Sequence, residues 1–471
     1  MDCPPGRPVA AARRSSHGLD GVNFFVAAVQ TGFGSFVTVY LVKNQWPPDA
    51  IGFALTTGTL STLFSQIPAG AALDSMREKR RAVLLGIASV GLAALLLCVT
   101  TARPAVYLAL AVQGLASSLI GPGIAAISLA LVGQAALSER IGRNVRFASI
   151  GNGLAAAAMG IVGAFLPTLS VFLMSAVLAL PALLSLSLIN EASEPTIALS
   201  GPIRGDRQDD TRITRQGLKS LLLDRRLSIF AACVVLFFAA SAAMGPGVAL
   251  RVTQLWPAFA TLIVAATILV PQAIVAAISP WVGRRAEMSG RRPLLLVGWG
   301  LIPLQALMYA TLPDEFALVF GNLLNALSAA IFGVTMTVVA ADLTRRTGCF
   351  NLTLGALGVA IAIGASLSTF CTGISAALFG VRAAAGGLVL VGLCGLLMLW
   401  IGMPETRLPQ KERWPIEYDV VDSAHRSPRL TQPQGPKGKH SERCIRPSST
   451  PPGPGRCPSP CICERTTEIS P

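Results

Sequence analysis

The chain has 471 residues, of which 52% are hydrophobic and 13% charged, and its mean hydropathy is +0.60. A water-soluble globular domain carries about 25% charged residues, so composition excludes that class for most of the length. The net charge of +14 leaves nucleic-acid binding or a membrane protein with cationic loops on one side, and the positions of the charges decide between them.

The first eighteen residues are basic and polar, with Arg13 and Arg14. They run into a full-length apolar segment with no small-residue cleavage site, which reads as a first spanning helix and not as a cleavable signal. Apolar runs of about 18–25 residues, the length that crosses a bilayer, then recur along the chain. The candidate spans are 21–42, 50–72, 82–101, 105–132, 147–167 and 169–190, then 227–249, 257–279, 294–312, 315–340, 352–375 and 382–402. Lipid offers no hydrogen-bond partners, so these runs are expected to be helices. The alternating pattern of a β-barrel is absent.

With the N-terminus inside, one set of loops holds Arg77, Lys79, Arg80 and Arg81, then Arg140, Arg143 and Arg146, then Arg284, Arg285, Arg291 and Arg292, then Arg345 and Arg346. The opposite connectors hold only Lys43, Arg103, Arg251 and Arg382. This asymmetry predicts a multi-pass protein of the cell inner membrane with both termini cytoplasmic. It accounts for the basic charge without nucleic acid.

Residues 191–226 break the apolar pattern, with Pro195, Gly201, Gly205 and seven basic residues from Arg204 to Arg226. They read as a cytoplasmic linker between two six-helix bundles, 19–190 and 227–403, after a short cytoplasmic segment 1–18. Residues 404–471, with PPGPG at 451–455, have the composition of a disordered basic cytoplasmic tail. Cys457, Cys461 and Cys463 in that tail lack the second ligand pair of a zinc site, so no metal or cofactor is expected. A repeat supports the division. Pro68, Met76, Arg80, Leu84 and Gly86 return 212 residues later as Pro280, Met288, Arg292, Leu296 and Gly298, and Trp46-Pro47 is echoed by Trp256-Pro257.

The loop after the second span reads Gly70-Ala-Ala-Leu73-Asp74-Ser-Met-Arg77-Glu-Lys79-Arg80, and its second copy reads Gly283-Arg-Arg-Ala-Glu287-Met-Ser-Gly290-Arg291-Arg292. Both resemble the loop signature of the major facilitator superfamily, G-x-L-x-D-r-x-G-r-[KR], with Arg77 in place of the second glycine in the first copy. The fourth span carries Gln113-Gly114 and Pro122, similar to that family's R-x-x-Q-G pattern. Leu110 stands where many members have an arginine linked to proton coupling. The drug-antiporter signature of the fifth helix is missing. Gly142-Arg143-Asn144 with Arg146-Phe147, and Ala341-Asp342 with Phe350-Asn351, look like a bacterial subgroup of the superfamily. The resemblance covers about residues 19–403 and implies a twelve-helix, all-α transporter of two pseudo-symmetric halves with its path between them. In such a frame a carboxylate at a helix end bridges to cations or to a neighbouring helix N-terminus, a latch closing one side; the alternative is a set of charges that fix topology and have no gating role.

Pro404-Glu405-Thr406-Arg407 resembles the end signature of sugar porters only briefly, and Asn351-Leu-Thr353 is a glycosylation sequon on the cytoplasmic side of this topology. His17, His425 and His440 lie outside the spans. Asp20 either caps the first helix, the favoured reading, or dips into the cavity as the candidate coupling group. Asn23, Gln30, Gln113, Asn152, Gln272, Asn322 and Asn325 are the candidate cavity amides, since amides within spans turn to the bundle interior. No fixed charge sits mid-span. The expectation is therefore a small neutral, weakly polar or amphipathic solute carried by alternating access, by a monomer, with a proton or other ion as a coupling partner. Export is favoured. Uptake, uniport and a transport-inactive sensor are the alternatives. No H-E-x-x-H and no His/Asp cluster suggests an enzyme.

Overall fold

A computed structural model gives the architecture. It describes residues 7–33, 36–37, 40–41, 44–76, 78–167, 169–189, 224–244, 260–312, 314–345 and 347–406. The chain divides into two units, Met1–Arg413, to which all the described residues belong, and Trp414–Pro471. The second unit, the tail cysteines, and the linker between 190 and 223 lie outside the described residues.

Among the described residues there are twelve long helices: α1 (Arg7–Thr31), α2 (Pro48–Ser75), α3 (Lys79–Val99), α4 (Arg103–Val132), α5 (Leu137–Phe165) and α6 (Leu169–Ser187), then α7 (Arg225–Ser241), α8 (Ala260–Ser289), α9 (Arg292–Thr311), α10 (Asp314–Thr344), α11 (Phe350–Phe379) and α12 (Val381–Gly402). Eight of these are long and apolar enough to cross a membrane. Prolines open α2, α4 and α9, where the missing N–H would be unpaired anyway. Exposed Leu92, Phe165, Leu184, Leu390 and Ile401 make an outer surface that water would not tolerate and lipid does.

The packing is two-fold. In the first half α1 packs on α5 and α6, α2 on α4, and α3 on α4 and α6. In the second half α7 packs on α11 and α12, α8 on α10, and α9 on α10 and α12. The halves join through two matching pairs, α2 with α11 and α5 with α8. Contacts refine the repeat. In α2 and α8, Gly70 matches Gly283 and Asp74 matches Glu287, both 213 apart (283 − 70 and 287 − 74). In α3 and α9 the 212 register holds, since Gly86 packs on Ile120 and Gly298 on Ile331. The α8–α9 connection is one residue shorter than the α2–α3 connection, so Pro68 and Pro280 fall one residue out of structural register.

Several boundaries differ from expectation: α1 ends at Thr31 and α8 runs on to Ser289, against 42 and 279. α1 begins at Arg7 and α5 at Leu137, well before the apolar runs at 21 and 147. Helices continue past the hydrocarbon layer into the polar boundary, which hydropathy does not see. Asp20 therefore lies deep within α1, and the reading of it as a helix cap is wrong: the helix is already formed before it.

Candidate functional site

The α2–α3, α4–α5, α8–α9 and α10–α11 connections share one end of the bundle, here the loop end. α2 and α11 cross there. Asp74, at the last turn of α2, accepts from the Asn351 backbone N–H at 3.0 Å, the Asn351 Nδ2 at 2.8 Å and the Leu352 N–H at 2.8 Å. It thus caps the N-terminus of a helix in the other half, where unpaired N–H groups and the helix dipole favour a carboxylate. Gly70 sits one turn earlier, and a Cβ there would fall inside contact distance of the Asn351 carbonyl. The close crossing requires glycine.

α8 and α5 repeat the arrangement. Glu287 accepts from the Ser138 N–H at 3.4 Å in the first turn of α5, and Gly283 meets the Ser138 carbonyl as closely as Gly70 meets Asn351. Gln134, in the α4–α5 connection, donates to the Ala341 carbonyl of α10 at 3.0 Å, a third contact between halves. The two caps differ in support. Arg291 is 4% exposed and donates from Nε to Asp342 at 3.0 Å, from Nη1 to the Ala286 carbonyl at 2.8 Å and from Nη2 to Glu287 at 3.5 Å. Gly290 turns the chain at φ +93°. Glu405 then caps α9 by accepting from the Arg291 and Arg292 N–H groups at 2.9 and 3.0 Å, and Thr406 donates to Asp342 at 3.3 Å. Arg292 donates to the Trp400 carbonyl at 2.7 Å. The short Pro-Glu-Thr stretch after α12 is thus a cap for α9, a role its sequence did not announce. In the first half Glu78 stands before α3 and pairs with Arg81, Lys79 Nζ reaches the Met76 carbonyl at 3.5 Å, and Arg80 donates to the Ile189 carbonyl at 3.1 Å.

Asp20 has a different setting. Its Oδ1 accepts from Arg140 Nη2 at 2.8 Å, and its Oδ2 accepts from Arg143 Nη2 at 2.5 Å. The Asp20 and Arg140 side chains are 6% and 4% exposed. Arg140 also donates to Ser16 Oγ and Asn144 Oδ1 at 2.9 Å each, and Asn144 Nδ2 donates to Ser128 Oγ at 2.7 Å. This network ties α1, α4 and α5 together within one half. On the neighbouring face of α5, Gly142 lies against Ser279 and Gly283 of α8.

These two-fold halves, joined at one end by caps built from the repeated loops, accompany a direct match: residues 19–314 fit the family model described as Major Facilitator Superfamily. The chain belongs to the major facilitator superfamily. Uncharacterized MFS-type transporters from two strains of Mycobacterium tuberculosis are each 33% identical over 403 residues, 85% of this chain and 96% of theirs. Among solved structures, the proton:xylose symporter XylE bound to 6-bromo-6-deoxy-D-glucose matches with a TM-score of 0.62 at 15% identity, covering 85% of this chain and 96% of that one. The human organic anion transporter MFSD10 (TETRAN) matches with a TM-score of 0.58 at 16% identity, covering 84% and 100%. At these identities the likeness concerns the superfamily fold alone. The chain is a multi-pass transmembrane transporter by family.

Within this superfamily fold the amides separate into groups. Gln30 and Gln113 both donate to Ser117 Oγ, at 3.4 and 2.9 Å, and Asn152 accepts from Thr31 at 2.9 Å. These three gather where α1, α4 and α5 meet. Asn23 does not join them. It is buried and donates to the Leu19 carbonyl of its own helix at 2.7 Å. Gln272 lies beside Gly153 at the α5–α8 crossing, and Asn322 and Asn325 are half-buried on α10. Among the described residues no group of three His, Cys, Asp or Glu is placed to hold a metal.

Proposed function

We propose that the chain is a secondary active transporter that moves a small neutral, weakly polar or amphipathic solute by alternating access, export being the favoured direction. The observation that carries this reading is the pair of carboxylates, Asp74 and Glu287, each capping a helix of the opposite half at the same end. Rocking of the halves about a midplane site has to break both caps, so they act as latches of the state closed at the loop end. Gly70, Gly283 and Gly290 shape the contacts, while Lys79, Arg80, Arg291 and Arg292 flank the acids. The bundles are taken as 19–190 and 227–403, working as a monomer.

Gln30, Gln113 and Asn152 are the cavity residues this reading favours. Each spends one polar group on a neighbour, and amides suit an uncharged solute. Asp20 remains the coupling candidate of this reading, a role that requires Arg140 and Arg143 to release it. A thermal-shift screen of the purified chain should show stabilisation by neutral or amphipathic solutes. Flux of such a hit in proteoliposomes should then fall in Asp74→Asn at normal expression. Stabilisation by anions alone, or undiminished flux in the variant, would contradict the reading.

The loop end is taken as cytoplasmic, in the cell inner membrane. Reporter fusions after residues 200 and 410 should both read cytoplasmic, and one after 255 external. A split between 200 and 410 would overturn the orientation.

A further inference from the structure

The outer face of α5 passes from the loop end into lipid. Leu154 and Ile161 on it are 59% and 62% exposed. Counting back by turns of about 3.6 residues, Arg143 and Arg146 fall on the same side of the helix. Arg146 is exposed and has no hydrogen-bond or ion-pair partner among the described residues. Arg143 gives one edge to Asp20, lies 5.8 Å from the Phe147 ring and stays 43% exposed. On α1, His17 is 68% exposed with its Nδ1 3.8 Å from Asp20, and exposed Arg13 precedes it by one turn. The acids facing these groups are Asp20, engaged by Arg140 and Arg143, and exposed Glu139, one turn before Arg143. Cations outnumber them.

We propose that this patch binds the headgroup of an anionic phospholipid. Arg146 and Arg143 take the phosphate oxygens, which match a guanidinium fork, and Arg13 and His17 flank the site from α1. The acyl chains run along Leu154 and Ile161. A lipid is chosen over a free anion because the arginines and the lipid-facing leucine and isoleucine share one face. A choline headgroup would bring a cation against cations.

The test uses the full-length chain in neutral detergent, with native mass spectrometry and thermal shifts against phosphatidylglycerol, phosphatidylcholine and inorganic phosphate. Phosphatidylglycerol should bind and raise the melting temperature, while phosphatidylcholine and phosphate should not. Arg13→Gln with Arg146→Gln should need about 25-fold more lipid, at roughly fivefold per arginine. The matched pair Arg284→Gln with Arg285→Gln, on exposed positions of α8, should behave as the parent. Equal lipid binding in the Arg13–Arg146 double variant and the parent would overturn the proposal. So would an equal loss in the α8 variant, or an equal shift with phosphate alone.

Discussion

Asp20→Asn is expected to lower the stability of the folded chain by about 3–5 kcal/mol, the cost of leaving a buried charge without its partner. Arg140 is 4% exposed and shares the Asp20 carboxylate with Arg143. Removing the acid strands the Arg140 guanidinium with only Ser16 and Asn144 to satisfy it. Arg143, half in solvent, loses much less. The double variant Asp20→Asn with Arg140→Gln should regain most of the loss, because it removes the uncompensated buried charge that the single variant leaves. Apparent melting temperatures of the parent, the two single variants and the double variant form the cycle that decides it. Simply additive losses would mean the pair is not coupled. The double variant also separates structure from coupling: if it still drives flux from a pH gradient as the parent does, Asp20 is not the proton carrier.

The second large effect belongs to the glycine crossings. Gly70→Ala and Gly283→Ala each place a methyl group against a backbone carbonyl of the opposite half, at Asn351 and Ser138. Backbone does not yield as a flexible side chain does. Overpacking of this kind costs about 1–3 kcal/mol, a shift of about 5- to 150-fold in the ratio of closed to open forms. The cost falls on the state closed at the loop end and spares the open one, so folding should survive while transport slows. A lipid-facing control, Gly160→Ala, has nothing within 4 Å of the added Cβ and should transport as the parent. Equal loss in the control would make the effect one of helix insertion and not of closure.

How much of this was legible beforehand follows from what each signal reports. Hydropathy located the twelve described helices, because a bilayer-crossing run is a one-dimensional feature. The capping acids were legible as well: Asp74 and Glu287 sit in the two copies of a repeated loop. What each acid caps was not, since helix pairing between halves leaves no periodicity in either helix. The Asp20 network was missed for a definite reason. Arg140 and Arg143 interrupt apolarity and so read as loop charges, whereas they lie in the first turns of α5. The spacing of Arg140, Arg143 and Asn144 on one helical face was a usable signal. Asp342 appeared in the sequence beside no partner, and Arg291 reaches it only through the fold. Glu405 was read as part of a weak resemblance, and its role as the cap of α9 depends on where α12 ends.

On the proposed function, Asp74 and Glu287 hold the halves together at the loop end and let go when the transporter opens there. Bio-orthogonal spin labels at Ser75 and Thr347, both exposed beside the α2–α11 crossing, report that separation directly in lipid nanodiscs. The parent should show a dominant short distance. Asp74→Asn combined with Glu287→Gln should move population to a second, longer distance, since charge-assisted caps become neutral contacts of roughly half the strength. An unchanged distance distribution in the double variant, with the protein folded and inserted, would contradict the account.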